Sequence, residues 1–384
     1  MRKIYFDHNS TSPVHPLVRQ AMLPFLEEKF GNPSSVHWAG REVRAHLDDA
    51  RNKAAVLINA DPSEIFFTAG GSEGDNWSIK GVLMDGMNKG GHIITTAVEH
   101  PAVLNTCRFL QRWGFKTTFA RVDGDCMVDP EEIRRSIRKD TVLISVMLAN
   151  NETGNIYPVK EICRIAHEHG ILFHTDAVQG MGKLPIDVKD LEVDLLTGSG
   201  HKFNAPKGIG IQYIRKGIDI LPFINGGHQE EGFRAGTENM AGIAGIGKAC
   251  ELATEKIKLG PGTTGRLRDK LERGILEQIP GTVLNGHREK RVYNTSNISF
   301  RGIEGEALLF LLDMKGIAVS TGSACSSITS EPSHVLRAMG LDPLCSRGSL
   351  RFSLGPDNTE EEIDCCLSVL PEIAGQLRNM SPCV

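Results

Sequence analysis

Between about residues 60 and 215 the chain alternates apolar, strand-like runs with amphipathic helical stretches, and this constrains its fold more than any other feature. Runs rich in β-branched and aromatic residues recur at 64–68 (EIFFT), 92–96 (HIITT), 116–120, 142–147, 172–174 and 194–197. Helical periodicity fills the intervals near 74–86, 101–113, 130–138 and 158–170. Such alternation predicts an α/β fold with a mostly parallel sheet and helices on both faces, because each crossover helix returns the chain to the same sheet edge. A longer helical pattern at 237–258 is followed by GPGTTG, a breaker cluster that predicts a junction with a second unit. A chain of 384 residues exceeds what one simple core accommodates. A net charge of −4 gives no electrostatic reason for a nucleic-acid or membrane partner. No apolar run approaches signal-peptide or membrane-span length. Nine cysteines with no CxxC pairing favour a reducing, cytoplasmic setting over a disulfide framework.

Ligands of such sheets lie beyond the carboxyl ends of the strands, and here those ends are polar. Ser199-Gly200-His201-Lys202 follows the last strand, and Asp176 closes the strand before it, in HTDAVQG. A lysine with an upstream carboxylate at adjacent strand ends suits pyridoxal phosphate. The amine bonds the cofactor aldehyde, the carboxylate keeps the pyridine nitrogen protonated, and Ser199 and His201 reach the phosphate. Gly70-Gly71-Ser72 lies at a strand-to-helix turn, where glycines allow close backbone approach and helix N–H groups face an anion. Ser72 and Asp75 have capping-box spacing. The turn matches neither a Walker loop nor GxGxxG, which disfavours a nucleotide-binding dehydrogenase. His100 is placed to stack on a ring and exchange protons. Asn150 and Asn151 in LANNETG, and Gln179, offer amides to a ring oxygen or a substrate carboxylate. Each item alone also fits a plain turn or a satisfied side chain; their succession at consecutive strand ends predicts one ligand site.

The runs GGSEGDN, VEHPAV, LANNETG, HTDAVQ, SGHKFNAPKGIG, RAGTEN, STGSACSS and RFSLG resemble the cysteine desulfurases of the NifS/IscS group, within the class V aminotransferase superfamily. The resemblance extends from YFDHNSTSP to the helix after RFSLG. It implies fold-type I: a large domain (15–258) around a mostly parallel seven-stranded sheet, and a smaller α+β domain (1–14 and 259–384). It implies pyridoxal 5'-phosphate bonded to Lys202, with Asp176 at the ring nitrogen, Gln179 at the ring hydroxyl and His100 stacked on the ring. Gly71, Ser72, Ser199 and His201 would hold the phosphate. Thr237 would reach the phosphate in a neighbouring subunit, so that a homodimer shares its sites. Asn151 and Arg351 would bind the carboxylate of L-cysteine, a task that suits the guanidinium fork. Ser72 and Gly74 replace the family's usual Thr and Ser, Ala205 its Gly, and Glu231 its Arg or Asn.

Cys325 lies among small polar residues in VSTGSACSSITSEP, a context that predicts an accessible loop thiol. Cys163 and Cys250 lie in helical, apolar contexts and read as small buried hydrophobes. With the resemblance, Cys325 becomes the sulfur acceptor, forming a persulfide while L-cysteine becomes L-alanine. His100 would handle the thiol proton. Sulfur would then pass to an iron–sulfur scaffold protein or another acceptor, for cluster assembly or tRNA thiolation. The resemblance also makes Cys325 a candidate iron–sulfur ligand. Cys383 reads as a thiol in a disordered end. The alternative within the superfamily is a selenocysteine lyase or another class V aminotransferase-type enzyme.

Overall fold

A computed structural model describes residues 3–85, 91–321 and 332–380. The strands in chain order are β1 (Ile4–Tyr5), β2 (Ile65–Thr68), β3 (His92–Thr96), β4 (Lys116–Ala120), β5 (Thr141–Ser145) and β6 (Leu172–Asp176). They continue with β7 (Leu195–Ser199), β8 (Gly210–Ile214), β9 (Thr282–Asn285), β10 (Thr295–Phe300), β11 (Ile317–Ala318) and β12 (Ser349–Ser353). A seven-stranded sheet has the order β2-β8-β7-β6-β5-β3-β4 and is parallel except at β8, which runs against both neighbours. The expected strands are all present, and β8 is a seventh that the sequence reading did not single out.

Strand residues alternate between two apolar layers, as the two-residue side-chain period requires. Ile94, Ile144, Leu196 and Ile211 join the cluster under α1 (Pro16–Glu27) and α2 (Trp38–Ile58). Ile93 and Leu143 face the opposite way, against α3 (Gly71–Met84) and α4 (Pro101–Gln111). Both faces are thus covered, and the strands other than the edge strand β4 are buried along nearly their whole length. After α5 (Pro130–Arg135), α6 (Val159–Glu168) and α7 (Val188–Leu191), the long helix α8 (Met240–Leu259) packs on the first face. It starts three residues later than the periodicity predicts. The Asn239 side chain accepts the Gly242 N–H and caps the helix there, leaving Thr237 in the preceding loop.

Of the GPGTTG breaker only Gly260 and Pro261 separate α8 from α9 (Gly262–Gln278), whose first turn takes up the rest. A second apolar cluster joins Ile4 and Phe6 to residues between Leu267 and Ala374. It is built on the antiparallel sheet β12-β10-β9, on α10 (Gly305–Met314) and on a long helix at Glu360–Met380. Strand β1 pairs in parallel with β11, so the first residues belong with this C-terminal cluster. Residues 8–12 then run back to the large sheet, where Ser12 donates to the carbonyl of His201 through both its N–H and its hydroxyl. The short helix α11 (His334–Ala338) contributes Val335 and Leu336 to the first cluster.

Candidate active site

The carboxyl ends of β2, β3, β5, β6 and β7 all open on one edge of the sheet, and a cavity of about 630 Å³ lies beyond them. Gly71, Ser72, His100, Asn151, Asp176, Gln179, Ser199, His201, Lys202 and Arg351 all line it. Thr237 does not line this cavity of its own chain. Cys325 and Cys383 lie outside the described residues.

At the first strand end, Gly70 has φ 148°, and α3 begins at Gly71 without a side-chain cap. A Cβ at Gly71 would lie 2.7 Å from Val178 Cγ2, so only glycine lets this turn close against the loop after β6. The capping box expected from Ser72 and Asp75 does not form. The helix starts earlier than that spacing requires, and Asp75 is turned inward, 1% exposed, beside Thr197. The first N–H groups of α3 are therefore left to an outside anion.

His100 caps α4, its Nδ1 accepting the Ala102 N–H at 3.1 Å. Burial, reinforced by Lys202 and His334, lowers its pKa to about 4, so the imidazole is neutral with its proton on Nε2. Beneath it, Glu99 is fully buried. One of its oxygens accepts from Thr96 Oγ1 (2.8 Å) and the Met147 N–H (3.1 Å), and the other has no partner. Burial raises its pKa to about 8. Asp176 accepts the Val178 N–H at 2.9 Å, and burial raises its pKa to about 6, with Lys202 opposing the rise. Asp75 is also pushed well up by burial and by Asp176, and its Oδ1 is unpartnered. Buried acids without cationic partners at the floor of a cavity fit a ligand that brings a proton-bearing nitrogen.

Opposite these acids the site is cationic. Lys202 Nζ donates to the carbonyls of Asn9 (2.8 Å) and Ser10 (2.7 Å). His201 Nδ1 meets Thr11 Oγ1 at 3.1 Å. Arg351, only 2% exposed, donates to Asp7 (2.6 Å), Ser10 Oγ (2.9 Å) and the Asn151 carbonyl (2.9 Å). Its Nε has no partner. Asn150 instead serves the loop: its side chain donates to Val98 O and accepts the Glu152 and Thr153 N–H groups. Ala205, the departure after the lysine, is fully buried in the first core cluster, while Glu231 is exposed with φ 57°.

These donors fit pyridoxal phosphate. The uncapped turn at Gly71–Ser72, with Ser199 and His201, suits the phosphate; Asp176 suits the ring nitrogen, and Lys202 the aldehyde carbon. The aminotransferase class-V family model matches residues 4–365. The chain belongs to that family. It is 53% identical to cysteine desulfurase IscS of Methanosarcina thermophila, over 99% of this chain and 94% of that one. With a cysteine desulfurase of Trichormus azollae the identity is 48%, over 100% and 95% of the two chains. The fold superposes on a solved NifS-like protein with a TM-score of 0.92 at 41% identity, covering 98% of this chain and all of the other. A structure described as SspA in complex with cysteine gives a TM-score of 0.84 at 35% identity, covering 93% of this chain and all of that one. The resemblance and the fold class read from the sequence are both borne out.

Sequence reasoning missed Asn9, Ser10, Asp75 as a buried acid, Glu99, His334 and Arg337, all in or beside this site. Asn9 and Ser10 lie in the YFDHNSTSP run, which carried the resemblance but no assigned role.

Proposed function

We propose that the protein is a pyridoxal-phosphate-dependent cysteine desulfurase that converts L-cysteine to L-alanine and leaves the sulfur as a persulfide on Cys325. One observation carries the reading: Lys202, Asp176, the uncapped turn at Gly71–Ser72 and Arg351 line a single cavity. When bound, pyridoxal phosphate supplies an electron sink for the bond-breaking at the substrate's carbon. Arg351 and Asn151 bind the substrate carboxylate, and the guanidinium's unpartnered Nε is available to it. Lys202 moves the α-proton, and the Asn9 and Ser10 carbonyls hold its nitrogen when it carries that proton. Asp176 holds the ring-nitrogen proton. The Cys325 thiolate attacks the substrate sulfur: an S–S bond forms, the C–S bond breaks, and its electron pair stays on carbon, which takes up a proton on the way to alanine. Neutral His100, with its Nε2–H, serves the proton traffic around that thiol. The relatives' names support this reading and not the selenocysteine-lyase alternative.

The active protein is proposed to be a homodimer in which Thr237 completes the partner's phosphate site. Leu26 (67%), Phe30 (81%), Val36 (87%) and Trp38 (67%) are exposed within one short stretch, which supports a covered surface there. The larger domain is proposed at 15–258 and the smaller at 1–14 and 259–384. A protein acceptor, such as an iron–sulfur scaffold, is proposed to take the sulfur in the cytoplasm. No helix among the described residues is long and apolar enough to cross a membrane.

Cys325→Ala tests the assignment. The variant should keep the cofactor's visible absorbance and lose persulfide formation, measured by trapping the modified cysteine and by alanine yield. Release of sulfide from L-cysteine at the unaltered rate would overturn the role of Cys325.

A further inference from the structure

Gln179 is held from behind by a lysine that the mechanism above does not use. Lys183 Nζ donates to Gln179 Oε1 at 2.6 Å and to Asn9 Oδ1 at 3.1 Å. Gln179 Nε2 donates at 2.9 Å to the Asn9 carbonyl, which also receives Lys202 Nζ at 2.8 Å. The orientation of the Gln179 amide is thereby fixed twice. A carbonyl can only accept, so the atom facing Asn9 O is nitrogen. A lysine nitrogen between two oxygens acts as donor, so the atom facing it is oxygen. This holds for the charged and the neutral amine alike, since two N–H bonds suffice. The distinction matters because burial, with Lys202, Lys256 and Arg351 nearby, pushes Lys183 well below the ordinary lysine range. His8 and Asp357 share with Lys183, Lys256 and Lys202 the wall of a second cavity of about 230 Å³.

Gln179 is 4% exposed and lines the larger cavity. One hydrogen of its Nε2 goes to Asn9, and the second remains for the cavity. We propose that Lys183 is a positioning residue: by holding Gln179 Oε1 it presents this amide to the ring site as a hydrogen-bond donor and denies it the acceptor orientation. The inference rests on the reading of Gln179 as the partner of the ring's hydroxyl oxygen. That oxygen is anionic in the working cofactor, so a donor stabilises it and a flipped amide would repel it.

The test is a pH titration of the visible absorbance of the cofactor bound through Lys202, without substrate. Loss of a donor to the ring oxygen makes the cofactor hold its proton to higher pH. Lys183→Met frees Gln179 Oε1 and loosens Asn9, leaving only the Asn9 carbonyl to orient the amide, and should raise the midpoint by up to about one pH unit, a tenfold change in proton affinity. Lys183→Arg, which still donates, should leave it near the wild-type value. Gln179→Ala should raise it as Lys183→Met does, and the double variant should shift no further than Gln179→Ala alone. An unmoved midpoint in Gln179→Ala overturns the reading of Gln179 itself. A shift in Gln179→Ala with none in Lys183→Met overturns the role of Lys183 alone. Additive shifts in the double variant also overturn it, because Lys183 would then act through its own charge. If Lys183→Met does not fold, Lys183→Gln replaces it. Its shorter side chain does not reach Gln179 Oε1, so it should raise the midpoint too, and an unmoved midpoint there overturns the proposal.

Discussion

Glu99→Gln should reverse the sign of its own effect on stability between pH 5 and pH 8. In the cofactor-free protein Glu99 is fully buried, and its pKa is raised from 4.5 to about 8, chiefly by burial. The unfolded chain releases this proton near pH 4.5, while the folded chain keeps it until about pH 8. Within that window the unfolded state binds fewer protons, so stability falls as pH rises. The loss is about 1.4 kcal/mol per pH unit, roughly 5 kcal/mol across the whole window. Glutamine does not titrate and escapes this loss. Its oxygen can still accept from Thr96 Oγ1 and the Met147 N–H, but its amide nitrogen stands where Glu99 Oε2 has no partner. At pH 5 the neutral carboxyl already places one O–H there, and the amide adds a further donor; an unsatisfied buried donor costs about 1–3 kcal/mol. Glu99→Gln should therefore have the lower urea midpoint at pH 5 and the higher one at pH 8. The comparison is made on cofactor-free protein at several pH values, with wild type and variant side by side. Stability profiles that stay parallel across this range would refute the reasoning, because Glu99 would then titrate alike in the folded and unfolded states.

Arg351→Lys should raise KM for L-cysteine and lower kcat/KM by about 10–100-fold, since one charge-assisted hydrogen bond is worth ~1.5–3 kcal/mol; steady-state alanine production checks this, and an unchanged kcat/KM would remove Arg351 from the carboxylate site. Glu230→Gln should act on stability and leave KM alone. The Glu230 carboxylate accepts both Arg51 guanidinium nitrogens at 2.8 Å and the Phe67 N–H at 3.0 Å, and breaking such a buried pair costs about 3–5 kcal/mol. Urea unfolding measures the loss, and a midpoint equal to wild type would contradict it.

What was legible in the sequence and what was not divides along contact distance. The strand ends at Ser72, His100, Asn151, Asp176 and Lys202 could be read because a parallel sheet brings every carboxyl end to one edge, so strand position alone implies convergence. Asp75 was misread because its spacing from Ser72 is that of a capping box. The observed helix starts at Gly71, and Asp75 instead meets Thr197 on β7, a contact no local pattern encodes. Strand β8 was passed over because GIQYI lies in a stretch rich in glycine and lysine and runs against its neighbours, outside the strand-helix rhythm. Thr237 was assigned to a helix by periodicity, but the Asn239 cap fixed the start after it. The segment Asn9–Ser10 was invisible as site material because its partners, Lys202 and Arg351, lie 192 or more residues away.

That segment also links two groups of the proposed site. Arg351 donates to Asp7 and to Ser10 Oγ, while Lys202 donates to the carbonyls of Asn9 and Ser10. Arg351, proposed to bind the carboxylate, and Lys202, proposed to be catalytic, therefore hold the same four-residue stretch from two sides. An acceptor entering at Arg351 competes with Asp7 and Ser10 for the guanidinium. The stretch is anchored at both ends, by the bridge from Asp7 to Ser353 and by the bonds from Ser12 to His201. Between these anchors Asn9 is held as well, its N–H donating to Ser353 Oγ and its side chain to the Asn151 carbonyl and Thr295 Oγ1, so the two cationic groups grip one fixed stretch.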